Sequence, residues 1–95
     1  MINKKIKKKV AIITGASKGI GAEIARKLSR DGFAVVINYF RNKNKAESVL
    51  KEIKNNGGDG LIYQADVTDE KQVKEMFEKT KDLFGNVEVL VNNAS

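Results

Sequence analysis

The sequence predicts an α/β fold in which helices cover both faces of a parallel sheet. Four short apolar runs alternate with three longer segments of helical periodicity, the pattern typical of consecutive βαβ units. A glycine-rich stretch directly follows the first run, and a chain of 95 residues has room for only one such domain. Because crossovers between parallel strands are right-handed, we expect a doubly wound sheet of strand order 3-2-1-4.

The predicted strands are continuous apolar runs at residues 10–13, 34–37, 61–65 and 87–91. Continuous rather than alternating apolar residues are expected of parallel strands that are buried on both faces. With these runs as β1 to β4 and the intervening segments as α1 to α3, the element order is β1-α1-β2-α2-β3-α3-β4. The first two helices should lie on one face of the sheet and the third on the other.

Three segments of helical periodicity connect the strands. The positions expected to face the core recur every one, three or four residues: Ile20, Ile24 and Leu28; then Ala46, Val49, Leu50 and Ile53; then Val73, Met76, Phe77, Thr80 and Phe84. We expect Asn44 and Thr68 to be the N-caps of the second and third helices. Gly32, residues 56–58 and Gly85 should end the three helices in turn.

A basic arm precedes the first strand. Residues 1–9 contain five lysines and no acid, so residues 10–95 are close to neutral although the net charge of the chain is +6. The apolar run that follows is too short for a signal peptide, which needs about 7 to 15 apolar residues, or for a membrane span of about 20. We therefore expect a cytoplasmic protein that does not contact a membrane. The arm contains no aromatic residue, so we expect a solvated lead-in rather than contact with nucleic acid.

The composition excludes several kinds of site. The chain has no His and no Cys, which excludes a structural zinc site, a nucleophile paired with His, thiol redox chemistry and disulfides. We predict no metal site. Carboxylate, lysine, tyrosine and hydroxyl chemistry remain, or binding alone.

Residues 14–21, TGASKGIG, connect the first strand to the first helix. Gly15 permits a sharp exit from the strand, while Gly19 and Gly21 let a ligand and the neighbouring strand approach a helix start without Cβ atoms. Free N–H groups and the positive end of the helix would then face a pyrophosphate. The alternative is a tight strand-to-helix turn that binds nothing.

The ends of the first and fourth strands lie where the strand order reverses, and ligands of open α/β sheets bind at such a point. These ends carry the glycine-rich turn and residues 92–95, NNAS. Amides and small residues there suit a nucleotide that lies flat across the crevice. The alternative for Asn93 is that it only caps the end of the strand.

Three motifs occur together in the order and spacing of one enzyme family: TGxxxGxG at 14–21, Asp66 and Val67 after the third strand, and NNAS at 92–95. On these motifs residues 9–95 resemble the N-terminal part of a short-chain dehydrogenase/reductase, most like the 3-oxoacyl-acyl-carrier-protein reductases and the glucose dehydrogenases. The resemblance implies that residues 10–95 form a Rossmann-type half-domain that binds a nicotinamide dinucleotide. It also implies a small carbonyl or acyl-carrier-bound substrate for a longer protein, and a homo-oligomer.

The resemblance further implies a role for each site residue. The phosphates and the adenosine ribose would be held by Gly15, Ser17, Lys18, Gly19, Ile20 and Gly21. Asp66 would bond the adenine amino group while Val67 covers the ring. Asn92 and Ala94 would line the ribose and the approach to the nicotinamide, together with Ser95, where the family usually has Gly.

NADP(H) is the expected cofactor, with NAD(H) as the alternative. An acid at the end of the second strand usually accepts the ribose 2′-hydroxyl of NAD, whereas a nearby Arg accommodates the 2′-phosphate of NADP. No acid lies between Asp31 and Glu47, and Lys18 and Arg41 offer positive charge. Tyr39 is expected to stack near the adenosine or only to flank the strand.

We expect no catalytic residue within this chain, because the resemblance implies a Ser, a Tyr and a Lys that lie beyond the fourth strand. Tyr39 and Lys43 have the spacing of such a pair, but they lie at the adenosine end of the predicted site. The chain is therefore interpreted as the cofactor-binding fragment of an NADP(H)-dependent carbonyl reductase, inactive by itself. The alternative is a stand-alone, non-catalytic module that binds a nucleotide, or a partner through its last strand.

Overall fold

Strands and helices alternate along residues 8–94, the part of the chain that the computed structural model describes. The elements are β1 Val10–Ile13, α1 Gly19–Arg30, β2 Ala34–Tyr39, α2 Lys43–Asn55, β3 Asp59–Gln64, α3 Glu70–Phe84 and β4 Val87–Val91. The strands form one parallel sheet of order β3-β2-β1-β4. The predicted fold class and strand order are confirmed.

Helices cover both faces of the sheet. Ala11 and Ile13 of β1 belong to an apolar cluster under α1 and α2, whereas Ile12 belongs to a second cluster under α3. Met76 of α3 is fully buried in that second cluster. The first two helices therefore lie on one face and the third on the other, as right-handed crossovers require.

The position of a strand in the sheet determines how deeply it is buried. β1 and β2 pair on both sides, and all of their residues are buried. Within residues 8–94, β3 and β4 are the outer strands and are partly exposed. Leu90 of β4 is 52% exposed. β4 thus keeps an apolar side chain at the surface of a parallel sheet, where burial on both faces is the rule.

A bulge interrupts the pairing of β1 with β4. Val10 pairs with Val87 and Ala11 with Val89, so the register skips Glu88. Residues two apart in a regular strand share a face, yet Val87 packs under α3 and Val89 packs under α1 and α2. The additional residue in β4 therefore reverses which residues point to which face of the sheet on the two sides of the bulge.

The end of β2 and the start of β3 differ from the prediction. β2 continues two residues beyond the apolar run, and β3 begins at Asp59 rather than at residue 61. The pair Asp59 and Gly60 resembles a turn in sequence, yet Gly60 pairs with Val35. A Cβ at Gly60 would lie 2.3 Å from the carbonyl oxygen of Val35. Glycine is therefore required at this point because the two backbones approach closely.

The helices are short and each buries one apolar stripe. α1, α2 and α3 have 12, 13 and 15 residues. Gly32, with φ 97°, ends α1, and the N–H of Phe33 donates to the carbonyl oxygen of Leu28 at 3.0 Å. This is a Schellman motif, and α2 ends in the same way at Gly57. Between residues 8 and 94 no helix is long and apolar enough to cross a membrane.

The N-terminus of α2 corrects a prediction. α2 begins at Lys43, so Asn44 lies inside the first turn and is not the N-cap. The N–H of Ala46 donates to the carbonyl oxygen of Asn42 at 3.0 Å. That backbone bond closes the first turn with Asn42, not Asn44, at the N-cap.

The N-cap of α3 also differs from the predicted residue. The carboxylate of Asp69 accepts hydrogen bonds from the N–H groups of Lys71 and Gln72, so Asp69 and not Thr68 caps the helix. Thr68 lies one residue before the N-cap, in the turn after β3, where its hydroxyl donates to Asp66. Sequence alone offers adjacent capping residues here, and the turn at Asp66 decides between them.

Candidate nucleotide-binding site

The glycine-rich turn and the segment after β4 lie side by side at the carboxyl edge of the sheet. Oγ1 of Thr14 accepts hydrogen bonds from the N–H groups of Asn93 and Ala94 at 2.9 and 3.0 Å. Nδ2 of Asn93 donates to the carbonyl oxygen of Gly15 at 3.1 Å. Two motifs that are far apart in sequence are thereby joined by side-chain bonds to backbone.

Gly21 lies where the turn and this segment approach most closely. A Cβ at Gly21 would lie 2.4 Å from the carbonyl oxygen of Gly15 and 2.6 Å from Nδ2 of Asn93. Gly15 itself has φ +62°, and a Cβ there would lie 3.1 Å from Cα of Ala94. Contacts within the protein therefore require glycine at position 21, and the positive φ favours glycine at position 15, where Ala94 also lies close.

Gly19 meets a different requirement. Its φ is +61°, and a Cβ there would meet nothing within 4 Å. Among residues 8–94, no acceptor bonds the N–H groups of residues 17–21, and the first bond of the helix runs from Ala22 to the carbonyl oxygen of Lys18. Unpaired donors at a helix N-terminus and the helix dipole together favour an anion. The start of α1 is thus an open cradle of N–H groups that fits a pyrophosphate.

The side chains around this cradle are accessible. Lys18 is exposed and directly precedes α1. Ile20 is 72% exposed, although Ile24 and Leu28 on the same stripe of α1 pack against the core. Ser17 is half-buried. Of the residues predicted to hold phosphate, Ser17, Lys18, Gly19 and Ile20 therefore share one surface at the start of α1, whereas Gly21 is buried.

Adjacent residues at the end of β2 have different environments. Tyr39 is 6% exposed and belongs to the cluster under α1 and α2, so its ring offers little surface to an adenosine. Phe40 is 47% exposed, and the guanidinium of Arg41 lies 5.5 Å from its ring centroid. This is the distance of a cation–π contact. Arg41 is therefore a surface charge beside the end of β2. In nucleotide-binding sheets of this kind, the residues at that strand end determine whether NAD or NADP is bound.

Asp66 is oriented by Thr68. Its Oδ1 accepts hydrogen bonds from the hydroxyl and the N–H of Thr68 at 2.6 and 2.9 Å. These bonds, the hydroxyl bond most of all, hold the pKa of Asp66 below its ordinary value because they stabilise the carboxylate. Within residues 8–94 the protein donates only to Oδ1, which leaves Oδ2 for a ligand donor. Val67 follows, half-buried.

The remaining predicted residues follow β4. Asn92 is exposed, and its Oδ1 accepts from the hydroxyl of Thr14 at 3.3 Å. Ala94 lies beside Gly15. Ser95 lies outside the described residues, as do residues 1–7 of the basic arm. In the part of the chain that is described, no group of three or more His, Cys, Asp or Glu side chains could hold a metal ion.

Sequence reasoning missed Asn38, the most buried amide at this edge. It is 2% exposed, its Oδ1 accepts from the N–H of Gly15 at 3.1 Å, and its Nδ2 donates to the carbonyl oxygen of Ala65 at 3.1 Å. In the sequence Asn38 directly follows the apolar run 34–37, but only the structure shows that the strand continues beyond it and buries the amide. A buried amide requires partners, and here they are the backbones of neighbouring segments.

Replacing Gly21 with Ala should destabilise the protein more than the same change at Gly57. Overpacking against backbone at Gly21 should lower the free energy of unfolding by about 2 to 3 kcal/mol. Gly57 also has positive φ, at +86°, but a Cβ there meets nothing within 4 Å, so only backbone strain of about 1 kcal/mol is expected. Urea unfolding of both variants measures the difference, and equal losses would contradict the contact described at Gly21.

Replacing Thr68 with Ala should raise the pKa of Asp66 toward the ordinary value of about 3.9. Because the pKa of Asp66 is lowered in the folded protein, its contribution to stability is present above the unfolded pKa and is lost as the pH falls through the folded pKa. Titration of the Asp66 carboxyl carbon by NMR measures the pKa in both proteins. Thr80→Val is the control, since Thr80 donates within α3 to Met76. A Thr68→Ala protein with the wild-type pKa would refute the assignment.

Comparison with known proteins agrees with this geometry. The sequence profile of the family described as short chain dehydrogenase matches residues 9–95. The 3-oxoacyl-acyl-carrier-protein reductase FabG of Staphylococcus aureus (strain Mu50) is 48% identical over 86 residues, which are 90% of this chain and 35% of that protein. The chain therefore spans about a third of the length of this relative.

Solved structures give the same result. A short chain dehydrogenase from Burkholderia cenocepacia in complex with NADP is 38% identical and superimposes with a TM-score of 0.87 over 92% of this chain and 36% of that one. A blue fluorescent protein from a metagenomic library, in complex with NADPH, is 40% identical with a TM-score of 0.87, again over 92% of this chain and 36% of the other. With its strand order, its glycine-rich turn and these matches taken together, the chain belongs to the short chain dehydrogenase family.

Proposed function

We propose that the chain is the cofactor-binding, N-terminal part of an NADP(H)-dependent oxidoreductase that, when complete, reduces carbonyl groups in the manner of a 3-oxoacyl-acyl-carrier-protein reductase. The observation that carries this proposal is the open cradle of N–H groups at residues 17–21, bonded through Thr14 and Asn93 to the segment after β4. The name of the 48% identical relative supports the substrate class.

The residues of this edge would divide the work of binding. The N–H groups of residues 17–21 and the charge of Lys18 would hold the pyrophosphate. Asp66, charged and oriented by Thr68, would accept from the adenine amino group through the free oxygen of its carboxylate, with Val67 beside the ring. Asn92 and Ala94 would line the ribose next to the nicotinamide. A bound dinucleotide supplies the hydride, and these residues bind and orient it.

Two features of the chain favour NADP(H) over NAD(H). The end of β2 carries Asn38, Tyr39 and Phe40 and therefore lacks the acid that usually accepts the ribose 2′-hydroxyl of NAD. Arg41 lies at the surface against Phe40, and Lys18 is exposed at the start of α1. Both structures compared above were solved with NADP or NADPH.

The activity is assigned to a longer protein because the chain spans only 35% of its reductase relative. The partly exposed β4 supports this assignment. Leu90 is 52% exposed on one face, and Val89 and Val91 are only half-buried on the other, so further chain beside β4 would complete both apolar faces. The same exposed edge favours a second candidate function, a non-catalytic module that recruits a partner protein through β4.

Calorimetric titration should show that the chain binds NADPH more tightly than NADH, and that Gly19→Asp abolishes the binding of both. The substitution places a carboxylate in a cradle that Gly19 leaves open, where it repels the pyrophosphate and occupies its space. Gly32→Asp is the matched control, because Gly32 also has positive φ and open space but lies at the other end of α1. It should bind NADPH with wild-type affinity.

A folded wild-type chain that does not bind NADPH, or a Gly19→Asp chain that binds it as wild type does, would overturn the proposed site. Circular dichroism of each protein establishes that it is folded. A preference for NADH would overturn the assignment of Arg41 and Lys18 alone.

The purified chain should not oxidise NADPH in the presence of a 3-oxoacyl ester, because binding without a proton donor beside the carbonyl gives no turnover. Tyr39→Phe is the informative variant, since Tyr39 is followed by Lys43 at the spacing of a catalytic pair but is buried in the core. Absorbance at the nicotinamide band measures the reaction. Turnover that is lost in Tyr39→Phe would contradict the assignment of catalysis to residues outside this chain.

A further inference from the structure

Asn38 connects segments that are separate in sequence. Its Oδ1 accepts from the N–H of Gly15 at 3.1 Å, and its backbone oxygen accepts from the N–H of Ala16 at 2.9 Å. Its Nδ2 donates to the carbonyl oxygens of Ala65 at 3.1 Å and Tyr63 at 3.3 Å. One residue of β2 thus bonds the turn after β1 and the end of β3 at the same time.

These contacts lie at both ends of the site assigned above. Gly15 begins the turn that carries the cradle at residues 17–21, and Ala65 directly precedes Asp66. A dinucleotide that contacts both the cradle and Asp66 requires them at a fixed separation, because binding through two linked parts is lost when geometry prevents both from engaging together.

The position requires a side chain that both accepts and donates hydrogen bonds. The side chain must accept from one N–H and donate to carbonyl oxygens in a site where Asn38 is 2% exposed. A carboxylate of the same size can only accept, and an apolar side chain can do neither. Replacement of this amide by an acid or an apolar residue would remove the hydrogen bonds that Nδ2 donates to the carbonyl oxygens of Ala65 and Tyr63.

We propose that Asn38 is a positioning residue of the nucleotide site, whose buried amide sets the distance between the phosphate-binding turn and Asp66. This inference rests on the proposed function, because it concerns the dinucleotide that the function assigns to the site. Asn38 itself touches no ligand in this arrangement. Its effect is on whether one ligand can reach both ends of the site.

The test compares two probes on the 95-residue chain. NADPH reaches Asp66 and the N–H groups of the cradle, whereas 2′-AMP, which lacks the pyrophosphate and the nicotinamide, reaches Asp66 and the charges of Lys18 and Arg41 but leaves the N–H groups that would hold the pyrophosphate empty. Asn38→Asp keeps the size and the acceptor but removes the donor, so we expect the affinity for NADPH to fall about tenfold or more and that for 2′-AMP to change by about threefold or less. NMR titrations give both affinities. They also show whether the amide resonances of Gly15 and Asp66 shift together.

Thr80→Val is the matched control. Thr80 is fully buried and donates to the carbonyl oxygen of Met76 within α3, so its replacement also removes a buried polar group. It should leave both affinities at the wild-type value. If Asn38→Asp does not fold, Asn38→Thr, which keeps a hydroxyl as donor and acceptor, should give the same pattern with smaller losses.

The outcomes separate the two proposals. A folded wild-type chain that does not bind NADPH refutes the proposed function, and the inference with it. Wild-type binding of NADPH that is unchanged in the Asn38 variants refutes the inference alone. Equal losses for NADPH and 2′-AMP also refute it, because Asn38 would then support the adenosine end and not the separation between the ends.

Discussion

The backbone polar groups at the carboxyl ends of the strands need hydrogen-bond partners, but those partners must not fill the space in front of the glycine-rich turn. The rest of the site depends on this constraint. Thr14, Asn38 and Asn93 meet it, since each side chain bonds the backbone of a different segment. These bonds involve Gly15 and the residues after β4, and they leave the N–H groups of residues 17–21 without a partner among residues 8–94. The protein therefore keeps a rigid turn and a set of free donors in one short stretch.

The glycines of the motif serve this constraint in different ways. Gly21 is enclosed by the carbonyl oxygen of Gly15 and by Asn93, whereas Gly19 faces open space with positive φ. Packing within the protein requires glycine at position 21, whereas at position 19 the requirement comes from the positive φ, and the space in front of it stays open. The single glycine-rich motif at residues 14–21 thus combines two separate requirements, and substitutions at Gly19 and Gly21 can test them one at a time.

The sequence predicts the sheet, its strand order and the convergence of the motifs, because periodicity, right-handed crossovers and glycine spacing are all local signals. It does not identify the cap of α3, because Thr68 and Asp69 are both capping residues and only the turn at Asp66 decides between them. It overestimates the burial of β4, since an apolar run does not reveal how much chain covers it. Asn38 was missed because an amide in a strand reveals its role only when the backbones around it are known.

The bonds that complete the site join residues far apart in the chain: Thr14 and Ala94 are 80 residues apart, and Gly15 and Asn93 are 78 apart. A chain in which β4 has not yet docked on β1 therefore has a glycine-rich turn but no site. A ligand that binds only the docked form stabilises that form by mass action. A nucleotide bound at this edge would then raise the fraction of molecules in which the last strand is paired with the first, so that a cofactor would also be a folding ligand.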